Sequence, residues 1–153
     1  IPSHQGPDAQ TVDPDLDDVV TMAVKVPETV GHQHCWSAQL TRAADKEEVL
    51  EAFGTSSRIA LISMADGLTA INTVKELMAD LGRSRENLYE VALWQDNLTV
   101  RGDELFYSYM VDNQAIVIPE SIDAIRALTG LEREASASMR RTDAALGITG
   151  SLI

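Results

Sequence analysis

The 153 residues predict an α+β fold, a mostly antiparallel sheet with helices on one face and a helical segment at the C-terminal end. Three observations carry this expectation. The β-like runs come as neighbours joined by tight turns, most clearly LYEVALWQ (88–95), LTV (98–100) and ELFYSYMV (104–111), separated by Asp96-Asn97 and Arg101-Gly102-Asp103. TAINTVKELMADLG (69–82) carries an apolar stripe at helical spacing, Ile71, Val74, Leu77, Met78 and Leu81. Residues 119–147 read as helix through PESIDAIRAL and EREASASMRRTDAALG. Helices inserted between antiparallel pairs make α+β, not an alternating βαβ order.

Taken in order, residues 1–18 hold three prolines among Asp and Gly and read as a loop. VVTMAVKV (19–26) and HQHCWSAQL (32–40) are strand-like, with Pro27 and Gly31 punctuating the link. DKEEVLEAF (45–53) is an amphipathic helix, Asp45 its N-cap and Val49, Leu50 and Phe53 its apolar face. RIALISM (58–64) is a short apolar run of the buried-strand type. The 69–82 helix takes Thr69 as its cap and Gly82 as its stop, and Pro119 falls in the first turn of the next helix.

The composition narrows the function classes. With 44% apolar and 24% charged residues the chain is globular in character and long enough for one domain's core. No apolar run approaches the roughly 18 to 20 residues of a membrane span. Twenty-four acidic residues against 12 basic ones give a formal net charge of -12, a surface that repels phosphate backbones and disfavours nucleic acid and anionic membranes as partners. Only Lys25, Lys46 and Lys75 are lysines. Many carboxylates with few lysines is the pattern of proteins that work at high salt, where screening removes self-repulsion; an ordinary acidic protein is the alternative. The one cysteine excludes an internal disulfide framework and suits a reducing cytoplasm.

PETVGHQHCW (27–36) concentrates the chemistry, with two of the three histidines and the cysteine. On a strand His32 and His34 share one face and Cys35 points to the other, which argues against a thiol–imidazole couple and makes Cys35 a packing residue. Two histidines at i and i+2 can chelate zinc, but a third ligand would have to be His4 or a carboxylate, and the sequence assigns no metal site. The pair is otherwise structural, or one imidazole is a general acid or base near neutral pH. Tyr107 and Tyr109 share a strand face and read as packing or interface residues.

With these residues in view, SHQGPD (3–8), TMAVKVPETVGHQHCW (21–36), LISMADGLTA (61–70), LGRSRENLYEVALW (81–94), VIPESIDAIRAL (117–128) and TDAALGI (142–148) resemble, in order and spacing, the C-terminal half of the archaeal, type II glyceraldehyde-3-phosphate dehydrogenases. The resemblance implies a phosphorylating oxidoreductase that converts D-glyceraldehyde 3-phosphate, inorganic phosphate and NADP or NAD to 1,3-bisphosphoglycerate, in a cytoplasmic homotetramer. It implies that His32 is the base, with His34 second, and that His4 and Gln5 grip the substrate phosphate. It also implies that Asn113 meets the nicotinamide carboxamide, with Gln114 as competitor.

The resemblance further divides the chain into residues 1–115, the greater part of the catalytic domain, and residues 116–153, a helical segment returning to the nucleotide-binding domain. No glycine-rich dinucleotide turn follows a first strand, and Cys35 does not stand in the family's nucleophile context. Both elements are therefore expected upstream of Ile1, and this stretch alone is expected to be inactive. The competing expectation is a non-catalytic α+β binding or assembly module.

Overall fold

A computed structural model describes residues 3–16, 18–27 and 30–153. Its elements are α1 (Gln5–Val12), β1 (Gly31–Gln39), α2 (Lys46–Gly54), β2 (Ile59–Ile62), α3 (Ile71–Asp80), β3 (Val91–Trp94), β4 (Thr99–Arg101), β5 (Glu104–Asp112), α4 (Val117–Thr129) and α5 (Ala135–Leu146). The sheet runs β1-β5-β3-β2, with β4 also paired to β5. The β1–β5 pair is antiparallel over nine rungs, from Gly31 opposite Asp112 to Gln39 opposite Glu104. The β3–β5 and β4–β5 pairs are antiparallel as well. The class is α+β with one parallel pair, β2–β3. Parallel strands need a long crossover, and α3 supplies it.

Strand alternation sorts the core into two layers. On one face Ala60, Ile62, Ala92, Trp94 and Met110 pack with Val74 and Met78 of α3 and with Leu152 from the C-terminal end. On the other, Leu93, Leu98 and Leu105 pack with Val49, Leu50 and Phe53 of α2 and with Tyr107 and Tyr109. The helices therefore do not all lie on one face: α2 covers the side opposite α3. The physical reason is that β2 and β3 are apolar on both faces and need cover on each.

Local differences have local causes. The loop expected over residues 1–18 contains α1, which tolerates Pro7 in its first turn because that position needs no intrahelical N–H donor. A Cβ at Gly6 would meet Thr21 Cγ2 at 2.9 Å, so glycine permits this helix to approach residues 19–21. The expected strand over 19–26 is reduced to a single bridging residue, Met22. Its alternating apolar residues Val20, Met22 and Val24 are exposed by 80, 91 and 85%. An alternating pattern makes a strand only where a neighbour supplies a ladder and a core face.

At α3 the N-cap is Ala70, not Thr69. Thr73 Oγ1 accepts from the Ala70 N–H at 3.2 Å and donates to the Ala70 carbonyl at 2.8 Å. Leu81, expected in the apolar stripe, is exposed beyond the helix end. Asp45 caps α2 as expected, accepting from the Glu48 N–H at 2.8 Å.

Ion pairs of the buried Arg58 join the C-terminal helices to the sheet. Arg58 donates to Asp143 at 2.9 Å, Glu120 at 2.9 Å and Asp123 at 2.6 Å. The second Asp123 oxygen accepts from Ser138 at 2.6 Å and Thr142 at 2.7 Å. One carboxylate of α4 thus links Arg58, the residue preceding β2, to α5. No helix among the described residues is long and apolar enough to cross a membrane.

Candidate functional site

The histidine face is built by the β1–β5 register. His32 lies opposite Val111, His34 opposite Tyr109 and Trp36 opposite Tyr107, so these six share one side of the sheet. It is the side covered by α2, where Phe53 meets Tyr107 at 5.3 Å between ring centroids. From there an aromatic row continues through Trp36, 6.2 Å from Tyr107, and Tyr109 to His34 and His32. The two imidazoles are 5.9 Å apart and tilted by 56°. His32, at the open end of the row, is exposed; His34 is half-buried.

His34 stacks on Tyr109 with centroids 4.8 Å apart and planes 12° from parallel. The Tyr109 hydroxyl is 3.4 Å from His34 Nδ1, but near-parallel planes put that oxygen over the ring, away from the in-plane lone pair. The contact is therefore a π stack, and it does not fix the tautomer. Burial, then the neighbouring His32 charge, hold the His34 imidazole below its ordinary pKa. Burial pushes the Tyr107 phenol up to about 12, aided by Tyr109, and raises Tyr109 as well. The row therefore places protonated phenols and a half-buried His34, held toward its neutral form, beside a solvent-facing His32.

Asn113 lies at the same end of this ladder. Its N–H donates to the Val30 carbonyl at 3.0 Å, one rung beyond Gly31 opposite Asp112. The side chains of Asn113 and Gln114 are both exposed. The fold thus brings His32, His34 and Asn113 to one corner of the sheet.

His4 and Gln5 are held differently. His4 occupies the N-cap of α1 without a capping side-chain bond, and its ring is 3.7 Å from Asp8. Gln5 accepts from Ser3 Oγ at 3.2 Å. Among the described residues their contacts stay within residues 3–8, and the segment is tied down through Thr21, which donates to the Ser3 carbonyl at 3.2 Å. Two surface cavities, of about 390 and 500 Å3, lie between Leu81, Arg83 and the chain's C-terminal end from Leu146, and along α4 at Ile116, Val117, Glu120, Ser121 and Ala124; neither is lined by His4, Gln5, His32 or His34.

Cys35 faces away from the histidines, as alternation requires, but it is exposed and not a packing residue. Its strand is at the sheet edge, and α3 covers the more central strands of that face. Among the described residues no group of three or more His, Cys, Asp or Glu side chains is placed to hold a metal; His4, His32 and His34 form no such group. Two features escape sequence reasoning: the stack of Tyr109 on His34, and the buried Lys75–Asp112 pair beneath Asn113. The shared parity of Tyr107 and Tyr109 hinted at the first. Nothing in the pattern marks Lys75, one of three lysines, as buried.

No protein-family model matches the chain. The chain is 42% identical over 151 residues to a glyceraldehyde-3-phosphate dehydrogenase of Methanopyrus kandleri, covering 99% of this chain and 43% of that protein. It is 40% identical over 153 residues to that of Haloarcula marismortui, 100% and 43%. It is 47% identical over 131 residues to that of Pyrobaculum calidifontis, 86% and 38%. The chain is therefore homologous, over nearly all its length, to part of proteins named glyceraldehyde-3-phosphate dehydrogenase, and it spans under half the length of these relatives.

Proposed function

We propose that this chain is the greater part of the catalytic domain, with the C-terminal helices, of a phosphorylating glyceraldehyde-3-phosphate dehydrogenase. The substrates are D-glyceraldehyde 3-phosphate, inorganic phosphate and NADP or NAD. The reading rests on the similarity to relatives of that name over 86 to 100% of the chain. It gains from one geometric observation: His32, His34 and Asn113 converge on one corner of the β1–β5 ladder. In this reading residues 1–115 bind substrate and 116–153 return to a nucleotide-binding domain. The exposed apolar residues Val117, Ile125 and Leu128 on α4 are a suitable docking face for that domain.

The cofactor is tested by what these residues can offer. Asn113 presents an exposed amide on a backbone locked to β1, a fit for a carboxamide. The described residues supply no glycine-rich phosphate turn, so the remainder of the dinucleotide is held by other parts of the full protein. The nicotinamide, when bound, accepts hydride. The work of this chain is proton transfer and phosphate binding: His32 is the solvent-facing base, His34 its half-buried, neutral neighbour, and His4 with Gln5 supply donors to the substrate phosphate. The nucleophilic cysteine belongs to residues of the full protein outside this chain. The full enzyme is a cytoplasmic homotetramer, and its -12 charge on this segment suits work at high salt.

The test is His32→Asn in the full-length enzyme, where turnover is expected to fall by roughly 10² to 10⁴. Near-normal turnover in that variant, with a loss of that size in His34→Asn, moves the role to His34. A protein whose full-length form binds neither nucleotide nor triose phosphate would instead be the α+β binding or assembly module.

A further inference from the structure

We infer that Lys75 and Asp112 are positioning residues that hold Asn113 against the His32 end of β1. The inference rests on the role proposed for Asn113 and adds the device that places it. A lysine on the core-facing side of a helix is costly unless it is paired. Lys75 is buried together with Asp112, whose side chain is 1% exposed, and the Nζ–Oδ2 distance is 2.6 Å. The same ammonium donates to the Glu86 carbonyl at 2.5 Å, at a residue held in the left-handed region with φ of 58°. One cation therefore joins α3, the strained turn at residues 85–86 and the end of β5.

Asp112 uses its two oxygens for different tasks. Oδ2 takes the Lys75 ammonium; Oδ1 accepts from the backbone N–H groups of Gln114 at 2.9 Å and Ala115 at 3.0 Å. This is the arrangement by which an aspartate fixes the chain entering a helix. The Asp112 carbonyl also accepts from the Ile116 N–H at 3.0 Å, and the Asn113 N–H is spent on Val30. The backbone is thus pinned before, at and after Asn113 while its amide side chain stays exposed. An apolar pair would fill the same space without the burial penalty, but it could not reach the Gln114 and Ala115 amides. Burial opposes the Asp112 charge, yet Lys75 and the two amides keep its carboxyl below the ordinary range. The acceptor is therefore always ionised at neutral pH.

The test uses the full-length protein and the variants Lys75→Met, Asp112→Ala, Asp112→Asn and Asn113→Ala. NAD+ and NADP+ affinities are read by calorimetry, KM for glyceraldehyde 3-phosphate by steady-state kinetics, and amide exchange at Gln114 and Ala115 by mass spectrometry or NMR. Lys75→Met and Asp112→Ala are expected to weaken nucleotide binding by about tenfold, to leave the triose-phosphate KM within about twofold, and to accelerate exchange at the two amides. Asp112→Asn keeps an acceptor oxygen and is expected to recover most of the affinity. If exchange accelerates while nucleotide affinity is unchanged, the pair is only structural and the inference is overturned. If Asn113→Ala leaves affinity unchanged, the assignment of Asn113 has failed and the positioning role falls with it. Should the Met and Ala variants not fold, Asp112→Asn decides: affinity as weak as that of Asn113→Ala, with slow exchange retained, refutes the inference.

Discussion

Arg83 and Glu90 face each other through two parallel hydrogen bonds of 2.6 and 2.7 Å, with the Glu90 side chain fully removed from solvent. The same guanidinium donates to the Gly147 carbonyl at 3.2 Å, at the end of α5, and lies over the Tyr89 ring at 5.7 Å. Truncating Arg83 would strand a buried carboxylate. Arg83→Ala is expected to cost about 3–5 kcal/mol of stability, measured by urea unfolding. Arg83→Lys, unable to form the two-pronged contact, should recover only part of this. A cost below about 1 kcal/mol would mean that Glu90 finds another partner.

The acid limb of stability should trace to Asp112 and Asp123. Burial opposes both charges, but Lys75 with two backbone amides outweighs it at Asp112, and Ser138, Thr142 and Arg58 outweigh it at Asp123. Both folded-state pKa values are lowered. Their contribution is therefore complete above the ordinary value of about 3.9 and is lost as pH falls through the lower folded values. Asp123→Asn should flatten stability against pH below about 4 while lowering it at neutral pH. An unchanged acid limb would assign it to other carboxylates.

His34 titrates in the opposite sense to a histidine stabilised by an acidic partner. Burial and the His32 charge lower its pKa, so its environment favours the folded state fully above the ordinary value near 6.5. That advantage declines as pH drops below it. Replacing His32 with Gln removes the second cause and should move the His34 pKa upward, read by NMR titration of the imidazole. A downward move would show that His32 assists protonation of His34.

Gly150 combines a φ of +78° with a close approach: a Cβ there would sit 3.3 Å from Ser57 Cα. Gly150→Ala should cost about 1–3 kcal/mol and loosen the C-terminal strap whose Leu152 enters the core. Amide exchange of residues 148–153 would report it. Unaltered exchange would mean the strap shifts without penalty.

The α2, α3 and α4 assignments were legible because the apolar period survives in the fold: Asp45 bonds as an N-cap should, and Val74 and Met78 are fully buried. The three middle strands form where expected, but β3 and β4 each pair with β5, so the sequence-neighbour pairing of β3 with β4 does not occur among the described residues. The same reasoning misread residues 5–12 and 19–26, where Gly6, Pro7 and an alternating apolar run mean different things according to what packs beside them. At the candidate site, the shared face of His32 and His34 follows from strand parity alone. Their unequal environments do not, because Tyr109 comes from a strand 75 residues along the chain.

By itself the sequence determined the α+β class, the two-histidine face and the family resemblance, since each depends on residue order over short spans. Tertiary structure decided the parallel β2–β3 pair, the division of helices between two faces, the exposure of Cys35 and the burial of Lys75 beneath Asn113. The reason is that pairing and burial are set by contacts between segments distant in sequence, and local periodicity carries no information about which distant segment arrives.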